Sequence, residues 1–118
     1  MVSKKVSFNY RGKKIELTAR RCGVFNLGLM FRTRNTKPCL FEFNHPEKFK
    51  LTALFVFFPF LVVWLDGDNN VLDIREIKPF TFSISARVSF VRIAEIPLGG
   101  NYKYLTEKMR IPDGDRKI

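Results

Sequence analysis

Apolar and polar residues alternate along the first twenty residues of the chain. The alternation runs through residues 6–10, breaks at Arg11-Gly12-Lys13 and resumes through residues 15–19. A period of two places successive side chains on opposite faces of a strand, and a glycine-containing break between two such runs is typical of a β-hairpin. The pattern therefore predicts a hairpin with one face on the core and a second face that carries basic side chains, including Lys13 and Arg20.

A second hairpin is predicted in the middle of the chain. The apolar run 60–65 is followed by turn-forming residues at 66–70 and by a return strand at 71–77. The uncharged stretch 51–65 is too short for a membrane-spanning helix, since fifteen helical residues reach about 22 Å against a hydrocarbon core of about 30 Å. Pro59 would also break such a helix, so we interpret the stretch as buried strands.

The remaining patterns complete a mainly β fold. We expect a strand at 40–43 that stops at Asn44-His45-Pro46, another at 88–96, and short helices at 22–31 and 101–109. The sequence predicts a single domain, residues 1–118, in which a barrel-like or folded-over antiparallel sheet of about seven to eight strands carries one or two short helices. Thirteen phenylalanines in 118 residues favour sheet as well.

Positive charge is concentrated at the start of the chain. The net charge is +10, and residues 1–37 contain ten basic side chains but one acid, Glu16. Such a segment favours binding of a polyanion, while a solvated basic surface that only maintains solubility is the alternative. The candidate polyanion-binding side chains are Arg11, Lys13, Lys14, Arg20, Arg21 and Arg34.

Metal and cofactor chemistry is not indicated. Cys22 and Cys39 are the only cysteines, their spacing fits no zinc motif, and His45 is the single histidine. We therefore predict no metal, no cofactor and two reduced thiols, with oxidation to a disulfide left open.

The first ten residues contain no apolar core of a signal peptide, so we expect a cytoplasmic protein. The absence of Gln would suit a heat-adapted source, although seven Asn residues argue against one.

Several segments resemble the domain of unknown function 192 family. The resemblance covers about residues 20–118. Its most specific part is Gly28-Leu29-Met30-Phe31-Arg32, and it continues through residues 40–43, 59–66, 71–74, 93–97 and 114–116. It implies a compact, mostly β fold of this length and no established activity. Bacterial members often carry export signals, and we expect none in this protein. Family members also have a polar Trp-Met-Lys-Asn-Thr stretch where this chain has Thr52–Val56, and an Asp where it has Leu61, so an activity that depends on that stretch is not expected here.

Two further side chains, Arg32 and Cys22, are candidates for chemistry. Arg32 would bind a phosphate or carboxylate, or would form a structural ion pair with Glu95 or Asp115, which occupy matching family positions; we favour the ion pair. Cys22, beside two arginines at the start of a predicted helix, would be reactive if its pKa were lowered, although no general base is evident.

Two other features have simpler structural explanations. Asp66, Asp68 and Asn70 have the oxygen spacing of a calcium loop, but Val71 and Ile77 stand where that loop needs Gly and Glu, so a hairpin turn is favoured. His45 has Glu42 and Glu47 near it in sequence, but it lies in a predicted exposed turn, so a catalytic role is not favoured.

Three classes of function remain. The first choice is a non-enzymatic binding domain that engages an acidic macromolecule, either nucleic acid or an acidic protein, through the basic N-terminal face. The second is an enzyme or small-ligand-binding protein with a pocket near Arg32 and Cys22. The third is a structural subunit of an oligomer that hides some of its phenylalanines in an interface.

Overall fold

A computed structural model of the chain describes residues 3–22, 36–51 and 56–98. These residues form eight β-strands: β1 Ser3–Tyr10, β2 Lys13–Cys22, β3 Cys39–Glu47, β4 Lys50–Leu51, β5 Phe60–Leu65, β6 Val71–Ile77, β7 Ile84–Ser85 and β8 Phe90–Pro97. The mainly β fold is confirmed. The helix predicted at 101–109 and residues 23–31 of the other lie outside the described residues, and Cys22 ends a strand rather than beginning a helix. The described residues include no helix of the length and apolarity that crossing a membrane requires.

The predicted N-terminal hairpin is confirmed. β1 and β2 pair antiparallel from Ser3↔Arg20 to Tyr10↔Lys13, which leaves a two-residue turn. Arg11 and Gly12 both have left-handed backbone conformations, with φ of 51° and 76°. Positive φ at both central residues defines a type I′ turn, whose twist matches that of the flanking strands. The turn therefore fixes the register of the hairpin.

Six strands form one sheet in the order β1-β2-β3-β8-β5-β6, and β4 and β7 form a separate two-stranded sheet. The expectation of an entirely antiparallel sheet is wrong at one pair, because β2 and β3 run parallel from Arg20↔Cys39 to Cys22↔Phe41. A parallel pair needs a crossover connection rather than a hairpin, and residues 23–38 are long enough to supply one.

The sheet curls into a half-barrel, so that its first and last strands approach each other. The backbone N–H of Asn9 on β1 donates to the carbonyl of Asn69 over 2.8 Å, and its side-chain Nδ2 donates to Asn70 Oδ1 over 3.0 Å. Asn69 and Asn70 belong to the turn between β5 and β6. These contacts close one end of the seam between β1 and the β5–β6 hairpin.

The curled sheet buries apolar residues on both faces. The concave core contains Val6, Phe8, Tyr10, Ile15, Leu17, Ala19, Leu40, Leu61, Val63, Leu65, Ile74, Ala94 and Ile96. The core on the opposite face contains Cys39, Val56, Phe58, Phe60, Val62, Trp64, Ile77, Ile84, Ala86, Phe90 and Ile93. Residues of β5 alternate between these two cores, which explains why the predicted run 60–65 is apolar at every position.

Two predicted strand boundaries differ from the structure. β3 does not stop at Asn44-His45-Pro46 but continues to Glu47, and its pairing with β8 is irregular between Glu42 and Glu47. An irregular pairing of this kind tolerates a proline that an ordinary ladder would exclude. β8 spans Phe90–Pro97, close to the predicted 88–96.

Candidate functional site

Three of the predicted polyanion-binding residues meet at the tip of the first hairpin. Arg11, Lys13 and Lys14 are exposed on and next to the type I′ turn, and we call them the tip cluster. The guanidinium of Arg11 lies 5.5 Å from the ring centre of Tyr10. In the described part of the chain neither Lys13 nor Lys14 forms an ion pair, so their charges are directed at solvent.

Arg20 does not belong to this exposed face, and the prediction that it points outward to solvent is wrong. Arg20 is 8% exposed, and its Nη2 atom donates to the Sγ atom of Cys39 over 2.7 Å. The side chain does lie on the face of β2 opposite to Ala19, as the alternation requires. The prediction that Lys13 shares this face with Arg20 is wrong, because Lys13 pairs with Tyr10 and lies on the face of Ala19. At this end of the strand that face is covered by the second core, so Arg20 is buried instead of solvated.

A second group of cations surrounds Glu42 on β3. One carboxylate oxygen of Glu42 accepts from Lys4 Nζ at 2.9 Å and from Arg92 Nε at 3.3 Å, and the other lies 3.1 Å from Arg21 Nη2. We call these four residues the Glu42 cluster. The hydrogen bond and charge of Lys4, with the hydrogen bond from Arg92 and the charge of Arg21, outweigh the effect of burial and lower the pKa of Glu42 below its usual value of 4.5.

Arg92 connects the Glu42 cluster to the turn that closes the seam. Its Nη1 atom donates to the carbonyls of Asp66 and Gly67 over 3.3 and 3.2 Å and to Asn69 Oδ1 over 3.0 Å. The guanidinium is therefore held in one orientation by a carboxylate on one side and three neutral acceptors on the other. Its charge is only partly neutralised, because the Glu42 carboxylate is shared with Lys4 and Arg21 and the other three acceptors are neutral.

A cavity of about 270 Å³ lies beside this arrangement and opens to solvent. The cavity is bounded by β1, β3, β8 and the β5–β6 turn, and its lining residues are Lys4, Lys5, Val6, Ser7, Leu40, Glu42, Asn69 and Arg92. Val6 and Leu40 are buried residues of the concave core. The cavity thus combines an apolar floor with a predominantly cationic rim.

The basic residues are consequently divided between two places. Lys4 and the tip of the hairpin are six residues apart along β1, which corresponds to about 20 Å in an extended strand. Arg21 belongs to the Glu42 cluster, whereas Arg34 lies outside the described residues. The N-terminal segment therefore presents two separated cationic sites and not one continuous row.

The predicted pocket or ion pair near Arg32 falls mostly outside the described residues, which exclude both Arg32 and Asp115. Glu95 is buried on β8 at 7% exposure, and Cys39 is its neighbour on β3. Cys22 is half-buried and lies against Cys39 and the backbone carbonyl of Arg20. Cys22 therefore contacts the buried residues Arg20 and Cys39, and the sequence did not predict these contacts.

The turn chemistry at residues 66–70 is that of a hairpin. One carboxylate oxygen of Asp66 accepts the backbone N–H groups of Asp68 and Asn70, each over 2.9 Å, and the other accepts the side-chain amide of Asn70. The carboxylate is thereby engaged by its own turn. Among the described residues there is no group of three or more His, Cys, Asp or Glu side chains that would hold a metal. His45 is exposed and lies 3.9 Å from Glu47.

Three phenylalanines project from the loops that cover the second core. Phe57, Phe80 and Phe82 are 53%, 58% and 76% exposed, and the rings of Phe57 and Phe80 are 5.7 Å apart. Phe80 also has a left-handed backbone, with φ of 63°, which is uncommon for a bulky residue. By contrast, Phe8 and Tyr10 of the basic hairpin are buried.

Sequence reasoning missed Lys4, Glu42 and Arg92 as site residues. They come from three strands that are far apart in sequence, and the half-buried Glu42 is paired with a lysine 38 positions away. The available signal was the excess of lysine in β1, which points to a charged site but not to its acidic partner.

Comparison with known proteins supports the fold. No family model matches the chain, and no curated protein matches it. A crystal structure of a putative transcription regulator from Sinorhizobium meliloti 1021 is similar, with a TM-score of 0.76 and 19% identity over 98% of this chain and 92% of that one. A protein of unknown function from Novosphingobium aromaticivorans DSM 12444 has a TM-score of 0.70 and 20% identity over 88% of this chain and 79% of that one. Similarity at this level concerns the fold alone, and the resemblance to the domain of unknown function 192 family remains a prediction.

Proposed function

We propose that this protein is a non-enzymatic binding domain that engages nucleic acid through the exposed cations of its N-terminal hairpin. The observation that carries the proposal is the imbalance of exposed charge on β1, β2 and their turn. Six cations are exposed there, Lys4, Lys5, Arg11, Lys13, Lys14 and Arg21, against one exposed acid, Glu16. A surface of this kind attracts the phosphate backbone at long range and releases condensed counterions when it binds.

The burial of Phe8 and Tyr10 specifies the mode of binding. Recognition of unpaired bases on a sheet requires exposed rings on which the bases stack. The rings of this hairpin belong to the concave core, so contacts there are restricted to phosphate and sugar groups. Contacts of that kind position a protein on nucleic acid but do not read the sequence. We therefore expect binding that depends on charge and only slightly on base sequence.

Arg11 adds support from the geometry of the turn. The first position of a type I′ turn favours Asn, Asp or Gly, because other residues are strained at positive φ. Arg11 occupies that position with φ of 51°. An exposed cation therefore occupies a turn position at which Asn, Asp or Gly would be less strained.

One structural neighbour also fits the proposal. The name of the Sinorhizobium protein places it among candidate regulators of transcription, a class of protein that acts on nucleic acid. The same charge would also attract an acidic protein. The oligonucleotide titration distinguishes nucleic acid from that second class of partner.

The test is fluorescence anisotropy of labelled duplex and single-stranded oligonucleotides at about 50 and about 200 mM salt. On duplex, the logarithm of affinity falls by about 0.9 for each tenfold rise in salt per phosphate neutralised. We expect the double variant Lys13→Ala/Lys14→Ala to weaken binding and to reduce this slope by roughly 2.

The control is the double variant Lys48→Ala/Lys78→Ala, which removes two exposed lysines outside the hairpin and lowers the net charge equally. Equal losses in the two double variants would show that net charge alone, and not the tip cluster, governs binding. Absence of binding at the lower salt would reject nucleic acid as the partner.

A second candidate, a subunit of a homo-oligomer, is supported by the exposed phenylalanines. Phe57 and Phe80 form a ring pair at the surface, and Phe82, two positions after Phe80, is the most exposed of the three. Exposed aromatic patches mark interfaces more often than isolated rings do. Sedimentation velocity tests this role: a concentration-dependent shift that Phe80→Ser/Phe82→Ser abolishes would support a second copy of the chain on this patch.

A further inference from the structure

We propose that the cavity beside the Glu42 cluster is a binding site for a phosphate monoester or diphosphate group. The site is separate from the tip cluster and does not require that the protein bind nucleic acid. It would accept a free phosphorylated compound or the terminal phosphate of an oligonucleotide, which present the same chemical group.

The charge of the lining favours a multiply charged anion. Lys4, Lys5 and Arg92 line the cavity, and Arg21 lies at its edge through its contact with Glu42. The carboxylate of Glu42 is the single anionic group among these residues. Four cations against one carboxylate leave an excess that a monovalent ligand would only partly neutralise, whereas a phosphate monoester or diphosphate carries the matching sign and magnitude.

The backbone of β1 supplies further donors. The N–H of Asn9 points away from β2 and donates across the seam to Asn69. Backbone N–H groups alternate in direction along a strand, so those of Ser7 and Lys5 point toward the same seam. Both residues line the cavity. Amide donors aimed at an anion from a fixed strand require no rearrangement when the ligand binds.

The position of Arg92 is already set before a ligand arrives. Its hydrogen bonds to Glu42 and to the β5–β6 turn orient the guanidinium, so little side-chain freedom is lost on binding. Preorganisation of this kind raises affinity by reducing the entropy lost in the complex. Lys4, by contrast, is 45% exposed at its side chain and is the group that a ligand would draw from Glu42.

The size and walls of the cavity limit the ligand. Its volume of about 270 Å³ lies just below the range of about 300–1,000 Å³ that is typical of small-molecule sites. The buried side chains of Val6 and Leu40 form an apolar floor, which strengthens the field of the cations above it. The ligand is therefore a compact phosphorylated group and not an extended cofactor.

The role of Glu42 follows from its position. As a resident anion it holds Lys4, Arg21 and Arg92 together, and it competes with an incoming phosphate for the same donors. Glu42→Gln retains the shape of the side chain and one acceptor oxygen but removes the negative charge and the second acceptor. We therefore expect that variant to bind phosphate groups several-fold more tightly, a change that a merely structural role would not produce.

The experiment is a titration of the full chain with pyrophosphate at about 50 mM salt, followed by amide chemical shifts and by calorimetry. We expect saturable one-to-one binding with shifts concentrated at Lys4–Ser7, Leu40, Asn69 and Arg92. Lys4→Ala and Lys5→Ala should each lower the affinity by about tenfold. Lys48→Ala, an exposed lysine outside the cavity, should leave it unchanged.

A linear, non-saturable response, or equal losses in Lys4→Ala and Lys48→Ala, would overturn the proposal.

Oligonucleotides with a 5′-phosphate and with a 5′-hydroxyl distinguish the two sources of the ligand. A preference for the 5′-phosphate that Lys4→Ala removes assigns the terminal phosphate, and equal affinities assign a free compound. Pyrophosphate binding that survives Lys13→Ala/Lys14→Ala while oligonucleotide binding is absent would reject the proposed function and retain the cavity site.

Discussion

The Nη2 atom of Arg20 lies 2.7 Å from the Sγ atom of Cys39, in the interior of the protein. The two residues face each other across the parallel pair of β2 and β3, and Glu95 on β8 follows Cys39 in the same lateral row. A guanidinium and a carboxylate thus lie within one buried row of the sheet, with a thiol between them. Such a row is costly to disturb, because truncation of one charged side chain leaves the other charge buried and uncompensated.

Arg20→Ala and its neighbour Arg21→Ala should therefore differ sharply in stability. Removing the buried Arg20 leaves a void and disturbs the Cys39 and Glu95 environment, and we expect a loss of more than about 2 kcal/mol in the free energy of unfolding. Arg21 is exposed and loses one surface ion pair with Glu42, which costs at most about 1 kcal/mol. Urea denaturation of both variants measures the difference. Equal losses would contradict the burial of Arg20.

The two cysteines should react at different rates with thiol reagents. The hydrogen bond with Cys22 and burial raise the pKa of the Cys39 thiol far above its usual range, so it carries no thiolate near neutral pH. In a Cys22→Ser variant, Cys39 is the only thiol and should be labelled only as fast as the protein unfolds. In Cys39→Ser, the half-buried Cys22 is tested alone. Rapid labelling of Cys22 at neutral pH would support the alternative of an enzyme with a reactive cysteine near Arg32.

Stability should fall on acidification because of Glu42 and Asp66. Hydrogen bonding from Lys4 lowers the pKa of Glu42. Burial raises the pKa of Asp66, but the hydrogen bonds from Asn70 and Asp68 together lower it below 3.8. A group whose pKa is lower in the folded state stabilises the protein fully above its unfolded pKa and loses that contribution as the pH falls through the folded value.

The contribution of Glu42 and Asp66 to the free energy of unfolding should thus be fully present near neutral pH and decline below about pH 4.5. Glu42→Gln should remove part of this decline and cost less than about 1 kcal/mol at pH 7, since solvent screens the partly exposed cluster. Chemical denaturation at several pH values measures both. An unchanged acid profile in Glu42→Gln would show that the cluster does not contribute to stability.

The type I′ turn allows stability and binding to be separated. Arg11→Asn places a favoured residue at φ of 51° and should stabilise the protein by about 0.5–1 kcal/mol, yet it removes a cation of the tip cluster and should weaken oligonucleotide binding. Gly12→Ala should destabilise by about 1–2 kcal/mol with little effect on binding, because an added Cβ meets no other atoms but is strained at φ of 76°. Thermal unfolding and anisotropy report the two properties, and parallel changes in both would argue against this separation.

Local patterns predicted the hairpins correctly and the tertiary arrangement only in part. The alternation in residues 6–19 and the turn chemistry at 66–70 depend on neighbours in sequence, so both hairpins could be found. The parallel pairing of β2 with β3 joins two strands that are separated by residues 23–38 in the sequence, and no short-range pattern predicts that these strands are neighbours. The surroundings of Glu42 have no local signal in the sequence either, because its three cationic neighbours come from three other strands, β1, β2 and β8.

Arg20 illustrates a different limit. The alternation of apolar and polar residues along a strand assigns each residue to one of the two faces of the sheet. It also implies that the polar face is exposed to solvent. In this sheet the second face is covered by residues such as Val56 and Phe58, which are distant in sequence. The face of Arg20 was predicted correctly, but its environment was determined by a layer that the alternation does not report.

The uniform burial of β5 has a consequence for how that strand is aligned. A slide of one residue along β6 and β8 would exchange Leu61, Val63 and Leu65 with Phe60, Val62 and Trp64, replacing apolar side chains by apolar side chains on both faces. The composition of the strand thus does little to oppose a misaligned pairing. The irregularity at Trp64/Leu65 and the three hydrogen bonds to the Asp66 carboxylate specify the alignment instead. One acidic side chain just beyond the strand therefore carries the positional information that the six strand residues lack.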